Sequence, residues 1–234
     1  MIEREKYFIF NSKREGEFKK YNKYGQVIKI YNYKNDKKEG EYKSYLYNGD
    51  LSEICNYKNN KKEGKHTEYS YNRNVYRAFN YKNNKKDGEY KSYYETGQLY
   101  EIYNCKNNKI EGEYRSYHKN GQPAIICNYK NSKKEGEYKS YDENGQLWII
   151  YNYENDKIDG EYKEYYDNGQ LKEILNYTNG KLEGECKTYY KNRQLFVICN
   201  YINNQLDGEY KSYNENGQLL IVCNYKNGTM KCKI

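Results

Sequence analysis

A glycine recurs every 24 residues without one insertion, at Gly16, Gly40, Gly64, Gly88, Gly112, Gly136, Gly160, Gly184 and Gly208. Five residues after each stands a tyrosine, from Tyr21 to Tyr213, and sixteen after each an asparagine, from Asn32 to Asn224. A strict period of this length confines a chain to a repeat architecture, in which one supersecondary unit stacks on copies of itself. The unit reads (E/D)-G-E-Y-K-S-Y-x-x-N-G-Q-L-x-x-I-x-N-Y-K-N-x-K.

Each unit carries two turn signals. One is Asn-Gly, as at Asn144-Gly145; the other is Asn-Asn, Asn-Asp or Asn-Gly, as at Asn59-Asn60, Asn155-Asp156 and Asn179-Gly180. Both dipeptides tolerate positive φ, which tight hairpins require. Between them Tyr, Ile, Leu and Cys alternate with charged residues, and no stretch has the 3.6-residue stripe of a helix. The expected fold is all-β: an elongated, single-layer antiparallel sheet of tandem β-hairpin repeats. With strands ~4.8 Å apart, nine two-stranded units would extend roughly 90 Å.

Two-residue turns fix a register. Tyr138 would face Tyr151, Lys139 would face Ile150, Tyr153 would face Ile158 and Ile149 would face Tyr162. Tyr138, Leu147, Ile149, Tyr151, Tyr153 and Tyr162 would share one face, and Tyr141, Trp148, Ile150 and Asn152 the other, with Glu137 and Lys139. Glu137 and Lys139 are expected to pair across strands. The same turns set Cys186 opposite Cys199. The third unit is the least regular, with Lys65, His66 and Ala78 where Glu, Tyr and Ile are usual and Arg73 at a turn-glycine position; it is expected to open first.

Composition fits such a sheet. There are 35 Tyr and a mean hydropathy of −1.37, a polarity that without aromatics would suggest disorder. Tyrosine buries its ring while its hydroxyl stays wet, which suits a structure one layer thick. The net charge of +8 resides in residues 1–117, with 25 Lys and Arg against 17 Asp and Glu; residues 118–234 balance 16 against 16. No signal-peptide core is expected at residues 1–11, and the apolar runs are too short to span a bilayer as a helix. Seven Cys, an odd number at no metal-like spacing, do not form a secreted disulfide framework, so a cytoplasmic setting is expected, that of the producing cell or of a host if virally encoded.

The unit G-x-Y-x-x-Y-x-x-N-G-x-L followed by Y-x-N-G-K-x-x-G resembles the MORN repeat variant family; Tyr177-Thr178-Asn179-Gly180-Lys181-Leu182 with Glu183-Gly184 carries the likeness best, and it extends over residues 5–234. Proteins of this kind include the bacterial YwqK-like group of toxin–antitoxin components and multi-MORN proteins of large DNA viruses. The resemblance implies a hairpin array used for protein or membrane contact. The expected division is a capping half-repeat at 1–15, nine tandem units at 16–231 and a truncated tenth unit or C-terminal cap at 232–234.

Catalysis needs unlike residues to converge, whereas repeats lay like residues in rows. His66 and His118 fall at different phases, and no Walker-type, G-x-S-x-G or H-E-x-x-H pattern occurs. A non-enzymatic interaction scaffold without metal or cofactor is expected, bound to a protein partner along one extended face. The alternatives are an antitoxin-like protein neutralising a toxin enzyme, which the resemblance implies, and attachment to an anionic membrane through the basic half. Nucleic acid is disfavoured because carboxylates dilute the lysines. At phases where early units carry Lys29, Ser52, Glu53 and Arg77, later ones carry Ile125, Trp148, Ile149, Phe196, Val197, Leu220 and Ile221. These residues are the candidate surface for a partner or for self-association.

Overall fold

The computed structural model describes residues 4–231; the cap expected at 232–234 lies outside them, as do residues 1–3 of the half-repeat. Among the described residues there are strands and turns and no helix, and every strand pairing is antiparallel. Contacts divide the chain into two units, Met1–Glu111 and Gly112–Ile234. In the first, the strands from Arg4–Phe10 to Leu99–Lys106 pair in chain order, with Lys61–Lys62 and Gly64–Tyr69 both pairing back to Leu51–Lys58. In the second, the same meander runs from Lys109–Tyr117 to Thr229–Lys231.

The two turns of a repeat are of different kinds. At Asn155-Asp156 both residues take positive φ, 49° and 67°, so a two-residue turn sets Tyr153 against Ile158 as expected. At Asn144-Gly145 only the glycine does, at φ +81°. The amide of Asp142 donates to Gln146 O and that of Gly145 to Asp142 O, which closes a three-residue loop. A one-residue bulge at Trp148 then restores the expected register, Tyr138 opposite Tyr151 and Lys139 opposite Ile150.

Two face assignments change as a result. Leu147 pairs with Tyr141, not on the Tyr138 side, because the bulge lies between it and Ile149. Trp148 moves the other way: its indole reaches Glu164, which stands opposite Ile149 on the tyrosine face. The second correction lies past the Asn155-Asp156 turn. Asp159 and Gly160 bulge out, with Gly160 at φ +84°, so Ile149 faces Glu164 rather than Tyr162. The two-residue slip preserves facing, and Tyr162 stacks on Tyr151 at 5.5 Å.

The tyrosine face holds the packing. In the first unit Phe18, Tyr31 and Tyr42 stack in succession at 4.5 and 5.7 Å, with Tyr33 and Cys55 in the same buried cluster. In the second, Tyr138, Tyr151 and Tyr162 continue the pattern at 4.7 and 5.5 Å. Offset and edge-on ring pairs of this kind are worth about 0.5–1.5 kcal/mol beyond the area they bury. The opposite face carries ion pairs, but along strands rather than across them: Lys19 with Glu17, Lys43 with Glu41, Lys139 with Glu137. Residues two apart share a face, and these exposed pairs stabilise the sheet little.

The repeat's third constant, the acid before each glycine, ties neighbouring turns together. Glu15 accepts the amide of Asn35, Glu39 that of Asn59, Glu135 that of Asn155 and Glu183 that of Asn203. In return the second turn residue accepts from the preceding turn: Asn60 Oδ1 from Lys38 N, Asn204 Oδ1 from Leu182 N.

Candidate functional site

The candidate contact residues occupy two adjacent phases, the bulge and the position after it. Trp148, Phe196 and Leu220 sit at bulges and are 50%, 41% and 59% exposed. Ile125 and Ile149 are half-buried against the tyrosine columns, and Val197 is buried with Cys186 and Cys199. Leu220 and Ile221 owe their exposure to a different cause. The next strand, Thr229–Lys231, covers only Asn224–Lys226, so residues 219–222 have no neighbour on that side among the described residues.

Trp148 and Phe196 are exposed on strands paired on both sides, because the bulge pushes their side chains out beyond the tyrosine column. Phe196 leans on Tyr190 at 4.8 Å, as Tyr100 does on Tyr94 at 5.0 Å. Trp148 borders a cleft of ≈ 340 Å³ lined by Asp142, Glu164, Tyr166, Lys172 and Lys191. Glu164 accepts from the indole at 3.3 Å and from Lys172 Nζ at 2.6 Å. The arrangement is an aromatic plate beside a fixed carboxylate and two lysines, suited to an apolar side chain flanked by charge.

A second group of residues, all in the first unit, was not singled out by the repeat pattern. Strand Leu51–Lys58 pairs with Gly64–Tyr69 so that Glu53 stands directly opposite Glu68, and Cys55 and His66, each two residues along, bring their donor atoms within 4.8 Å of each other. His66 is 1% exposed and Cys55 2%. The imidazole stacks on Phe79 at 4.5 Å and meets Tyr81 edge-on at 5.4 Å. The strand is packed at this point, where His66 replaces a tyrosine ring with another flat ring.

Two carboxylates face to face are unfavourable, and cations gather around them. Lys62 Nζ donates to Glu53 Oε1 at 2.9 Å, and Arg77 Nη1 lies 3.6 Å from Glu68 Oε2. The His66 imidazole, 3.3 Å from Glu68 Oε1, holds the Glu68 carboxyl below its ordinary range. Burial opposes the Lys62 charge, yet Glu53 raises its pKa above that of an ordinary lysine. Burial pushes the Cys55 thiol up to about 11. The sequence signal for the group is four chemistry-bearing residues at 53, 55, 66 and 68, two apart on neighbouring strands, where other units carry sets such as Ile125, Cys127, Tyr138 and Ser140.

The family model described as MORN repeat variant matches residues 38–59, 86–107, 110–131, 134–155, 158–179, 182–203 and 206–227, stepping by whole periods. No curated protein matches the sequence. Among solved structures, the TcdB2–TccC3–Cdc42 complex aligns at 12% identity over 97% of this chain and 14% of that chain, with a TM-score of 0.23. The Photorhabdus luminescens Tc holotoxin pore aligns at 14% identity over 90% and 13%, with a TM-score of 0.22. This chain thus spans about a seventh of the length of either.

Proposed function

The chain belongs to the MORN repeat variant family, whose repeats generally serve protein or membrane contact, and from that premise we propose a non-enzymatic scaffold that binds a protein partner through the second unit. The observation that supports this is the exposure of Trp148 and Phe196 at bulge positions of strands that have a neighbour on each side. Large aromatics held rigidly at half exposure supply the anchors on which interfaces depend, while Asp142, Lys172 and Lys191 beside Trp148 act as a solvated rim. The same proposal places the protein in a reducing compartment, where its seven cysteines remain thiols.

The test is quantitative capture by wild-type protein and by Trp148→Ala and Phe196→Ala, with Lys139→Ala on the opposite face as the control. Loss of a partner by at least ~10-fold in the two aromatic variants alone would match the anchoring expected of such residues. Equal recovery by all three, with circular dichroism unchanged, would remove the second unit as the contact surface. Flotation with anionic vesicles at low and high salt decides the membrane alternative, because contact made by the lysine excess of residues 1–117 weakens as salt rises.

A further inference from the structure

Repeats lay like residues in rows, so a place where one strand pair collects four unlike, metal-type donors breaks the rule of the fold. Among the described residues there is one group of three such side chains, Glu53, Cys55 and His66, with donor atoms all within 4.8 Å of one another. Glu68 adds a fourth: His66 Nε2 lies 3.3 Å from its Oε1 and 3.5 Å from Glu53 Oε1, and Cys55 Sγ lies 3.9 Å from Glu53 Oε1. A tetrahedral zinc ion with bonds of ~2.0 Å to nitrogen and oxygen and ~2.3 Å to sulfur has ligand–ligand edges of about 3.3–3.5 Å. Three of the six edges, at 3.3, 3.5 and 3.9 Å, already stand near those values.

His66 Nε2 supplies an independent sign. It is buried, close to two carboxylates and aligned with neither, so it makes no hydrogen bond. A buried polar atom left this way costs on the order of 1–3 kcal/mol, and native structures seldom tolerate it without a role. We propose that Glu53, Cys55, His66 and Glu68 form a binding site for a borderline-soft divalent metal of the zinc type, with Lys62 as the cation that occupies the cluster when the metal is absent. The donor set favours zinc or cobalt over calcium or magnesium, which take oxygen alone.

The role of Lys62 follows from charge and from hydrogen. Without metal, Glu53 and Glu68 are balanced by Lys62 and Arg77. Lys62 Nζ also sits 3.5 Å from His66 Nδ1; an ammonium has only donors, so Nδ1 can only accept in that contact. When the metal enters, the Cys55 S–H bond breaks, a sulfur–metal bond forms and that proton leaves to solvent. With the metal on Nε2 the imidazole proton is on Nδ1, where it would point at the ammonium. Lys62, on a flexible stem and partly exposed, then swings out to water, which leaves two carboxylates, one thiolate, the dication and Arg77 in balance.

The experiment uses the full chain, reduced and stripped of metal, titrated with Co²⁺ and then Zn²⁺. Expected are one cobalt per chain, the visible bands of tetrahedral cobalt, a thiolate-to-cobalt charge-transfer band in the near ultraviolet, and displacement by zinc. Cys55→Ser should lose the charge-transfer band. His66→Tyr places there the residue found at Tyr42, Tyr90 and Tyr138, so it preserves folding, and it should weaken binding by at least ~100-fold. Lys62→Met should tighten binding by ~10-fold, since it removes the competing cation. Absence of the bands in the wild type would overturn the proposal. So would bands that persist in both Cys55→Ser and His66→Tyr, which would place the metal on other cysteines, or a Lys62→Met chain that binds no tighter.

Discussion

Oxidising the protein should join Cys186 to Cys199. The two stand directly opposite in the hairpin formed by Gly184–Tyr189 and Leu195–Ile202, buried with Val197 and bordered by Leu175 and Tyr201. The neighbouring Cys199 thiol and burial together hold the Cys186 thiol above its ordinary value. A bridge across a loop of about 14 residues removes roughly 3 kcal/mol of chain entropy from the unfolded state. Opposed residues hold their Cβ atoms ~4.5–5.5 Å apart against the ~3.5–4.5 Å of a disulfide, and closing that gap offsets part of the entropic gain, leaving it at the low end of the ~2–4 kcal/mol typical of a bridge. The net gain, about 2 kcal/mol, corresponds to a Tm higher by ~4–8 °C for a chain of this size. Thermal unfolding with and without oxidised glutathione measures it, with peptide mapping to identify the bridge and Cys186→Ser and Cys199→Ser as controls. A bridge from either residue to Cys223 instead, or a Tm that does not rise, would refute the register and the energetics with it.

Arg193 holds φ at +72° where seven other units place glycine. Arg193→Gly should therefore stabilise by ~0.5–1 kcal/mol, the left-handed strain of ~1–2 kcal/mol less the entropy glycine adds to the unfolded chain. Urea unfolding reads the sign; Arg73→Gly should gain less, because Arg73 is tied to Asp50 at 2.8 Å. Stability should also fall in alkali. Burial, then Glu164, raises Tyr162 from 10.0 to about 12, and burial raises Tyr129 to about 12 as well. Each group favours folding below the unfolded value of 10.0 and loses that contribution as pH rises through about 12, so circular dichroism and tyrosine ionisation should change together across that window and not below it.

The hairpin array, its alternating faces and the pairings Tyr138–Tyr151 and Cys186–Cys199 are legible from the period and the turn dipeptides. The loop type is not, because Asn-Gly suits both a two-residue turn and a three-residue loop closed by glycine. Here a longer loop and a bulge cancel, so the register agrees while Leu147 and Trp148 exchange faces. The His66 cluster escapes the sequence for a related reason. A plain two-residue turn at Asn59-Asn60 would set Cys55 opposite Gly64; the bulge at Glu63-Gly64 advances the strand by two residues and delivers His66 instead. Reading departures from a consensus as defects hid it further, since in a repeat the departures are where unlike chemistry can meet. The exposed aromatics were visible by phase, but Val197, one position past the bulge, is buried in a cluster with Cys186 and Cys199.

The bonds that tie each turn to the next span fixed sequence separations of 20 and 22 residues. They belong to the period rather than to any one unit, so the chain has a natural increment. Duplicating or deleting 24 residues within the array reproduces every one of these bonds, whereas a single inserted residue misdirects all those that cross it. Recombination between repeats in register can thus lengthen or shorten such a gene in whole steps without a folding penalty at the junction. The same rule would let a partner's footprint be resized by counting units, with each new strand arriving already in register.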